Sequence, residues 1–350
     1  MFLRIKRSPA LIDNQTVIHP TDRLNKPLLF STALALAVWL IWYAYSSPDS
    51  LSIIEENWAV TLTMVFGSFI AGATSEGGGA VAFPVFTKVL HIAPLDAKVF
   101  SLAIQSVGMT AASLTIIALR VPVAWPVIAW ASLGGLVGVS ISSTALAPLL
   151  PPALLKMLFT AMIAAFALPL TILTWQKRLY NDTLPFFGAR EKAIWLLTGT
   201  VGGGMTGLVG SGIDIICFSV MVLWFRLSEK VSTPTSVILM AVNALAGFAL
   251  HGFLLDSFNA TVERYWLAAV PVVVIGAPLG AYCCTKLNSR AIAVILILLI
   301  LVELLSSLIL IPLTANIIGI SLTVFVIFLW FYYRMARSTR YRPACERGEE

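Results

Sequence analysis

Charged residues are scarce in this sequence. Only 11% of its 350 residues are Asp, Glu, Lys or Arg, whereas 59% are hydrophobic. A soluble domain carries about a quarter of its residues as charged side chains. This shortage excludes a soluble enzyme or binding module and predicts an integral membrane protein with little room for an extramembrane domain.

Residues that bind metals or act as nucleophiles are also few, and neither HExxH nor CxxC occurs. They are His19, His91, His251, Cys217, Cys283, Cys284 and Cys345. A membrane-embedded enzyme needs such residues clustered at membrane depth, so we expect no enzyme activity, metal site or cofactor. In a membrane protein the excess of 23 Lys and Arg over 17 Asp and Glu marks the cytoplasmic side, and we expect no nucleic-acid partner.

Long apolar runs occupy most of the chain. They lie at about 28–46, 58–90, 99–119, 123–149, 153–174, 193–225, 231–254, 266–285, 291–312 and 317–333. Most have the ~20 residues that one crossing requires. The runs 58–90 and 193–225 are too long for one helix and too short for two crossings, and each contains a glycine cluster. The basic segment before the first run is longer than a typical signal peptide allows, so we expect that run to be a retained helix.

The distribution of Lys and Arg bears on these two unusual runs. If each run enters and leaves the membrane on one side, nineteen of the 23 basic residues lie on the side of both termini. If each run crosses once, seventeen do. The first arrangement is favoured and predicts eight full crossings, two re-entrant hairpins and cytoplasmic termini, while up to ten crossings remain open.

The two runs also match each other. A shift of 132 residues pairs Gly72 with Gly204, Thr74 with Thr206, Gly78 with Gly210 and Lys98 with Lys230. Further along, GGLVG at 134–138 matches GAPLG at 276–280. A hairpin plus three crossings in each copy makes the second copy inverted relative to the first.

We therefore predict an all-α membrane protein of eight to ten transmembrane helices built from two inverted repeats, each opening with a Gly-rich broken or re-entrant helix. The predicted order is a basic cytoplasmic tail with the first helix (1–57), repeat A (58–174), a basic cytoplasmic linker (175–192), repeat B (193–312), and a last helix with a basic tail (313–350).

The glycine clusters predict a substrate site, because irregular backbone at membrane depth must be buried in protein or line an aqueous cavity. In secondary transporters such breaks form the site near the midplane. A half-helix starting after each cluster would offer free N–H groups and a positive dipole end to an anion. The predicted substrate-binding residues are Thr74, Ser75, Gly77, Gly78, Gly79, Gln105, Thr206, Gly210, Ser211, Gly212 and Asn243.

Simpler roles compete with this interpretation. Glycines also let helices pack closely, which is the preferred explanation for the GxxxG pairs Gly134/Gly138 and Gly276/Gly280. The polar side chains of Gln105 and Asn243 either face a cavity or form hydrogen bonds between helices, and the two alternatives stay open.

Two carboxylates complicate an anion site, because an ionised acid repels an anion. Glu76 and Asp214 are the candidates for ion coupling. Asp214 alternatively complements the dipole of a first helical turn. Glu76 carries a coupling proton, binds a cation or faces a wet vestibule, since intramembrane carboxylates are costly and usually functional. Glu303 is a weaker candidate that pairs or extends to the membrane surface.

These motifs resemble the sulfite exporter family (TauE/SafE) over residues 58–312. The resemblance lies in GSFIAGATSEGGGAVAFPVF, AKVFSLAIQS and GGLVG, and in the second copy GTVGGGMTGLVGSGIDIICFSVMVLWF. The family usually has a hydrophobic residue between the first-copy glycines, whereas here Glu76 precedes an unbroken glycine run. The resemblance implies an inner-membrane permease for small sulfur anions such as sulfite or sulfonates.

The predicted function is a secondary transporter, an exporter of such anions that works by alternating access in the lipid bilayer. The alternatives are an anion channel, a proton- or cation-coupled uptake permease for another small organic anion, and a membrane scaffold without transport activity. A homodimer is a further expectation, without a residue pattern to support it.

Overall fold

The computed structural model describes residues 20–77, 85–176 and 179–341. Across these ranges the chain forms twelve α-helices joined by short loops, π turns and one 3-10 turn. Within them the only β-type pairing is an isolated bridge between Asn181 and Leu227. The predicted all-helical class is therefore confirmed.

The helices are numbered in chain order. They are α1 (Pro20–Ser46), α2 (Ser50–Glu56), α3 (Trp58–Ala73), α4 (Pro94–Ala118), α5 (Trp125–Ile141), α6 (Pro152–Trp175), α7 (Ala189–Val209), α8 (Ile213–Leu223), α9 (Glu229–Ala249), α10 (Ala260–Lys286), α11 (Ser289–Leu310) and α12 (Ala315–Arg337). Eight segments among the described residues are long and apolar enough to cross a membrane, whereas α3 and α8 are shorter apolar helices. The eight belong to α1, α4, α5, α6, α9, α10, α11 and α12.

Local sequence sets where several helices begin. Asn259 accepts a hydrogen bond from the backbone N–H of the third residue of α10, and Asn288 does the same for α11. Thr314 caps α12 in this way through its hydroxyl. Pro94 and Pro152 open α4 and α6, where a missing N–H leaves no helical bond unmade.

The helix ends collect at two faces of the bundle. The His251 face contains the starts of α4 and α6 and the turns after α5 and α9, which line one cavity there. The start of α10 lies at the same face, because Asn259 donates a hydrogen bond to Asp96 of α4. The Arg120 face contains the end of α4, the start of α9 and the end of α10, around Arg120, Lys230 and Thr285. The direction of each helix is described by which of these two faces it begins at.

Two pairs of helices pack unusually closely through glycine. A Cβ added to Gly280 of α10 would lie 2.0 Å from a backbone oxygen of α3, and one added to Gly138 of α5 would lie 2.1 Å from a backbone oxygen of α7. A Cβ added to Gly134 would lie 2.0 Å from a backbone oxygen of α7, and one added to Gly276 would lie 2.1 Å from the Ser68 hydroxyl of α3. The GxxxG pairs are therefore helix contacts, which confirms their predicted packing role.

The same contacts give the direction of α3. Thr61 near its start donates a hydrogen bond to the Ala268 carbonyl of α10, at 3.0 Å. Phe69, farther along α3, lies against Gly280, farther along α10. The two helices therefore run in the same direction, and α3 begins near the His251 face, where α10 begins.

The helix α7 runs in the same direction as α5. Leu196 near its start lies against Gly134, and Gly207 near its end lies against Ser142 and Ser143. Since α5 begins at the Arg120 face, α7 begins there too. The segment after α8 returns to that face, where Ser228 lines the cavity.

Candidate functional site

The first glycine-rich break follows α3. Residues 74–77 form a bend inside the bundle in which Thr74, Ser75 and Glu76 are at most 2% exposed. Gly77 has a φ of +70°, a left-handed conformation that favours glycine.

The rest of this break is described only in part. The predicted site residues Gly78 and Gly79 lie outside the described residues, as does Pro84. The structure next describes a π-helical turn, Val85–Val89. In the part that is described, the half-helix predicted after the first glycine cluster is this five-residue turn. The corresponding half-helix of the second copy, α8, has 11 residues.

The second break joins α7 to α8. Gly210 ends α7 in a left-handed conformation, with φ +93°, and its N–H donates to the Thr206 carbonyl at 2.8 Å. Gly212 follows with φ +154° and Ser211 between them is 3% exposed. Two glycines in conformations that are strained for other residues allow the chain to reverse within three residues.

The two breaks meet. A Cβ added to Gly77 would lie 2.7 Å from the Asp214 carboxylate and 2.7 Å from the Ser211 hydroxyl. It would also lie 3.3 Å from the side-chain oxygen of Gln105. The Ser211 hydroxyl also donates to the Glu76 carbonyl, at 3.5 Å. The structure therefore brings together residues from both predicted tips, at positions separated by more than a hundred residues in the chain.

The paired threonines Thr74 and Thr206 have matching bonds. Each hydroxyl donates to the carbonyl four residues earlier, at 2.9 Å for Thr74 and 3.1 Å for Thr206. Each also accepts a backbone N–H beyond the helix end, from Glu76 at 3.4 Å and from Ile213 at 3.0 Å. Both hydroxyls are thus used to end a helix in this conformation, and their role in substrate binding stays a prediction.

The N–H groups around the start of α8 are occupied by Asp214. Its Oδ1 accepts the N–H of Gly212 at 3.1 Å and that of Ile215 at 3.0 Å. The Ser211 hydroxyl lies 3.4 Å from its Oδ2. The backbone amides predicted to bind an anion therefore bind a carboxylate of the chain itself, as the helix-dipole alternative predicts.

Glu76 differs from Asp214. It is 1% exposed, and neither of its carboxylate oxygens has a hydrogen-bond partner among the described residues. The ionisable groups that act on it electrostatically are Glu303, Lys156 and Asp214. A buried carboxylate without a partner is costly, so this position resembles a functional group more than a structural one.

A buried ion pair lies near Glu76. Lys156 of α6 and Glu303 of α11 are 2.5 Å apart, and both are at most 3% exposed. The Thr160 hydroxyl donates to the same Glu303 oxygen at 3.1 Å, and that of Ser307 does so at 3.3 Å. Glu303 is therefore paired inside the bundle and does not extend to the membrane surface.

One face of α4 holds the end of α7. The Lys98 ammonium donates to the Gly207 carbonyl at 3.3 Å. The Ser101 hydroxyl and the Gln105 amide both donate to the Gly210 carbonyl, at 3.3 Å and 2.9 Å. Spacings of three and four residues place these side chains in one row, and they satisfy carbonyls that a helix end leaves free. We call this row the α4 clamp. The spacing of Lys98, Ser101 and Gln105 by three and four residues was the sequence signal that could have placed Lys98 on the same helix face as the predicted site residue Gln105.

Asn243 lies to one side of the two tips. Its amide nitrogen donates to the Leu239 carbonyl at 3.1 Å, and its side-chain oxygen has no partner among the described residues. A Cβ added to Gly135 would lie 2.4 Å from that oxygen and 2.5 Å from the Ile213 side chain. Asn243 therefore lies against the middle of α5 at Gly135, which the side chain of Ile213 at the start of α8 also approaches. Its role in substrate binding stays a prediction.

The model of the family described as sulfite exporter TauE/SafE matches residues 59–307. The chain belongs to this family. Both glycine-rich tips, the α4 clamp and the Lys156–Glu303 pair lie inside the TauE/SafE match, whereas α1, α2 and α12 lie outside it. With eight apolar spans among the described residues, this member of the family is a multi-pass membrane transport protein. Searches of curated proteins and of solved structures found no match to the chain.

Proposed function

We propose that this TauE/SafE protein is a secondary transporter that exports small sulfur-containing anions, such as sulfite or sulfonates, by alternating access. Membership of the family supports the substrate class. The observation that carries the mechanism is the buried meeting of the two glycine-rich tips, at Gly77 and at Ser211. Irregular backbone at membrane depth is tolerated where it serves a transport path.

The proposed tips are re-entrant, and the proposed repeats are inverted. In support, α3 approaches the meeting point from the His251 face, while α7 approaches from the Arg120 face. The packing partners also correspond, because α3 packs on α10 while α7 packs on α5. Exchanging residues 58–174 with 193–312 converts one pair into the other, as two inverted repeats require.

Two cavities support alternating access. One of about 510 Å³ at the Arg120 face reaches Gly72 and Thr233, beside the first tip. The other, of about 450 Å³ at the His251 face, reaches Leu208 and Val209, beside the second tip. Between them the tip residues are buried, so we propose that the structure represents an occluded state.

Binding in this state requires Asp214 to release the α8 amides. A rotated or protonated Asp214 side chain would free the N–H groups of Gly212 and Ile215 for the oxygens of a cargo anion. We propose that Ser75, Gly77 and Ser211 complete the anion site, together with Gly78 and Gly79, and that Glu76 is the coupling group.

The acidic character of the meeting point favours a second candidate. Glu76 and Asp214 both lie there, each 1% exposed. Two buried carboxylates are suited to carry protons or a cation. A proton- or cation-coupled uptake permease for another small organic anion is therefore the alternative.

We propose that the Arg120 face is cytoplasmic and that both termini lie there. The start of α1 and the end of α12 lie at this face, since Ser31 bonds Thr115 and Arg226 bonds the Ala336 carbonyl. The basic residues Arg120, Lys230, Lys286, Arg290, Arg334 and Arg337 belong to helix ends or loops at this face. With a negative interior, export of a monoanion gains about 2.3 kcal/mol per 100 mV and needs no coupled ion.

The decisive experiment loads proteoliposomes with radiolabelled sulfite and compares efflux in wild type, Gly77→Ala and Gly204→Ala. Gly204 lies in α7 with open space around it, so it serves as the matched control. We expect saturable efflux from wild type and from Gly204→Ala, and a loss of at least about tenfold in Gly77→Ala, since that Cβ meets Ser211 and Asp214. Efflux no faster than from empty liposomes would reject sulfite export, and efflux that survives Gly77→Ala would reject the tip as the site.

A further inference from the structure

The access cavity at the His251 face is a chamber lined by basic side chains that have no part in the tip site. This cavity of about 450 Å³ takes one basic side chain from each of α4, α6 and the turn after α9, and hydroxyls from the turn after α5 and the loop before α10. These side chains are Lys98, Lys156, His251, Ser143, Thr144 and Ser257. The described lining includes no carboxylate, so its charge is positive.

Lys98 is the uncompensated cation of this chamber. It is 5% exposed, and its one hydrogen bond within the described chain goes to the Gly207 carbonyl. The charge of Lys156 is offset by Glu303, whereas among the described residues no carboxylate pairs with Lys98. An ammonium has three donors, so two remain for another partner. A buried charge without a counter-ion is costly, which indicates that the partner is an anion.

His251 provides a second, independent sign. It is 1% exposed, it lines the chamber, and neither ring nitrogen has a hydrogen-bond partner among the described residues. Lys98 is close enough to act on it electrostatically. Leaving a buried donor unpaired costs about 1–3 kcal/mol, so an imidazole in this position fits a ligand that accepts its N–H.

We propose that the chamber is a second anion site, in which the Lys98 ammonium and a His251 N–H bind a small oxyanion. Its role rests on the proposed transport function: Leu208 and Val209 line the chamber directly before Gly210, so an anion held there is one step from the tip. The bound oxyanion comes either from the aqueous phase or from the headgroup of an anionic lipid, since both have the same charged oxygens.

The test measures sulfite binding to the full-length protein in phosphatidylcholine nanodiscs by calorimetry. Lys98→Met should weaken one class of sites by about tenfold or more and His251→Gln by a few-fold, because each removes one charged or polar partner. Lys98→Arg should retain the site. Ser101→Ala is the matched control, since it removes a bond of the α4 clamp but leaves the chamber charge unchanged.

Each outcome decides the proposal. Binding by Lys98→Met equal to wild type, in protein with an unchanged unfolding temperature, would overturn it. If Lys98→Met fails to fold, loss of binding in folded His251→Gln supports the site, and unchanged binding there overturns it. Lys98-dependent binding in a protein without sulfite flux would support the second anion site and reject sulfite export. Normal sulfite flux with binding that does not change in Lys98→Met would support export and reject the second site. Added phosphatidylglycerol that abolishes the Lys98-dependent class would assign the site to a lipid headgroup and overturn its role in transport.

Discussion

The two glycine-rich tips differ in how their polar groups are satisfied. At the tip between α7 and α8, Asp214 accepts two backbone N–H groups, and the clamp holds the Gly210 carbonyl. At the tip after α3, Glu76 has no hydrogen-bond partner for either carboxylate oxygen among the described residues. Two breaks with similar glycines therefore differ in their carboxylates: that of Asp214 is hydrogen-bonded, and that of Glu76 has no partner among the described residues.

This difference separates a structural carboxylate from one available for chemistry. Removing Asp214 leaves two buried N–H groups without acceptors, whereas replacing the Glu76 carboxyl group breaks no hydrogen bond among the described residues. A transport site needs one part that keeps its shape and one part that changes its bonds. In this conformation the fully bonded α7–α8 tip fits the first role and the α3 tip the second; in the proposed cycle Asp214 gives up its N–H groups only to a cargo anion.

The largest expected effect tests this assignment directly. Asp214→Ala should lower the free energy of unfolding by roughly 3 kcal/mol, because two buried N–H groups lose their carboxyl acceptor. Glu76→Gln should leave it unchanged or raise it. Unfolding titrations with SDS in mixed micelles measure both. Equal destabilisation by the two substitutions would remove the contrast between the tips.

A smaller effect concerns the backbone of the tip between α7 and α8. Gly210→Ala should cost about 1–2 kcal/mol, because the left-handed conformation is unfavourable for an L-residue and the new Cβ would lie 3.0 Å from the Ser101 Cβ. Gly204→Ala, in the same helix, should stabilise the protein by about 0.5–1 kcal/mol, since it has open space and alanine favours a helix. Thermal unfolding followed by tryptophan fluorescence ranks the two variants, and the same shift in both would show that Gly210 is not strained.

The smallest effect sharpens what the tips share. Thr74→Val and Thr206→Val should each cost about 1 kcal/mol, and the two costs should agree, because each hydroxyl makes the same pair of bonds at a helix end. SDS unfolding gives the comparison, with Thr200→Val as a control, because the Thr200 hydroxyl donates to the Leu196 carbonyl within α7 and does not end the helix. If the unfolding free energies of Thr74→Val and Thr206→Val differ by more than those of Asp214→Ala and Glu76→Gln, the difference between the tips lies in how their helices end and not in their carboxylates.

Patterns local in sequence predicted much of the fold. Apolar length gave the eight crossing segments, and the GxxxG spacing marked the contacts of α5 with α7 and of α10 with α3. The glycine clusters predicted the two breaks to within a few residues, although Gly202, Gly203 and Gly204 of the second cluster lie inside α7 and the break itself is at Gly210 and Gly212. Each of these features depends on neighbouring residues and is therefore readable without the fold.

The bonds that distinguish the tips depend on residues distant in the chain. Lys98 reaches Gly207 across 109 positions, and Glu303 pairs with Lys156 across the α6–α11 contact. An isolated lysine or glutamate has no sequence signal for its partner. The sequence allows Asp214 to complement the dipole at the start of α8. The three-dimensional geometry adds that Asp214 accepts the Gly212 N–H, so this amide is unavailable to an anion in this conformation.

The α4 clamp has a mechanical consequence. The row Lys98, Ser101 and Gln105 fastens the end of α7 to a membrane-spanning helix at points seven residues apart, a span of about 10 Å at 1.5 Å per residue. The end of α7 therefore cannot tilt or slide without pulling α4 with it or breaking all three bonds. The helix acts as a lever arm, so a displacement of the second tip is transmitted to the far end of α4, at Arg120.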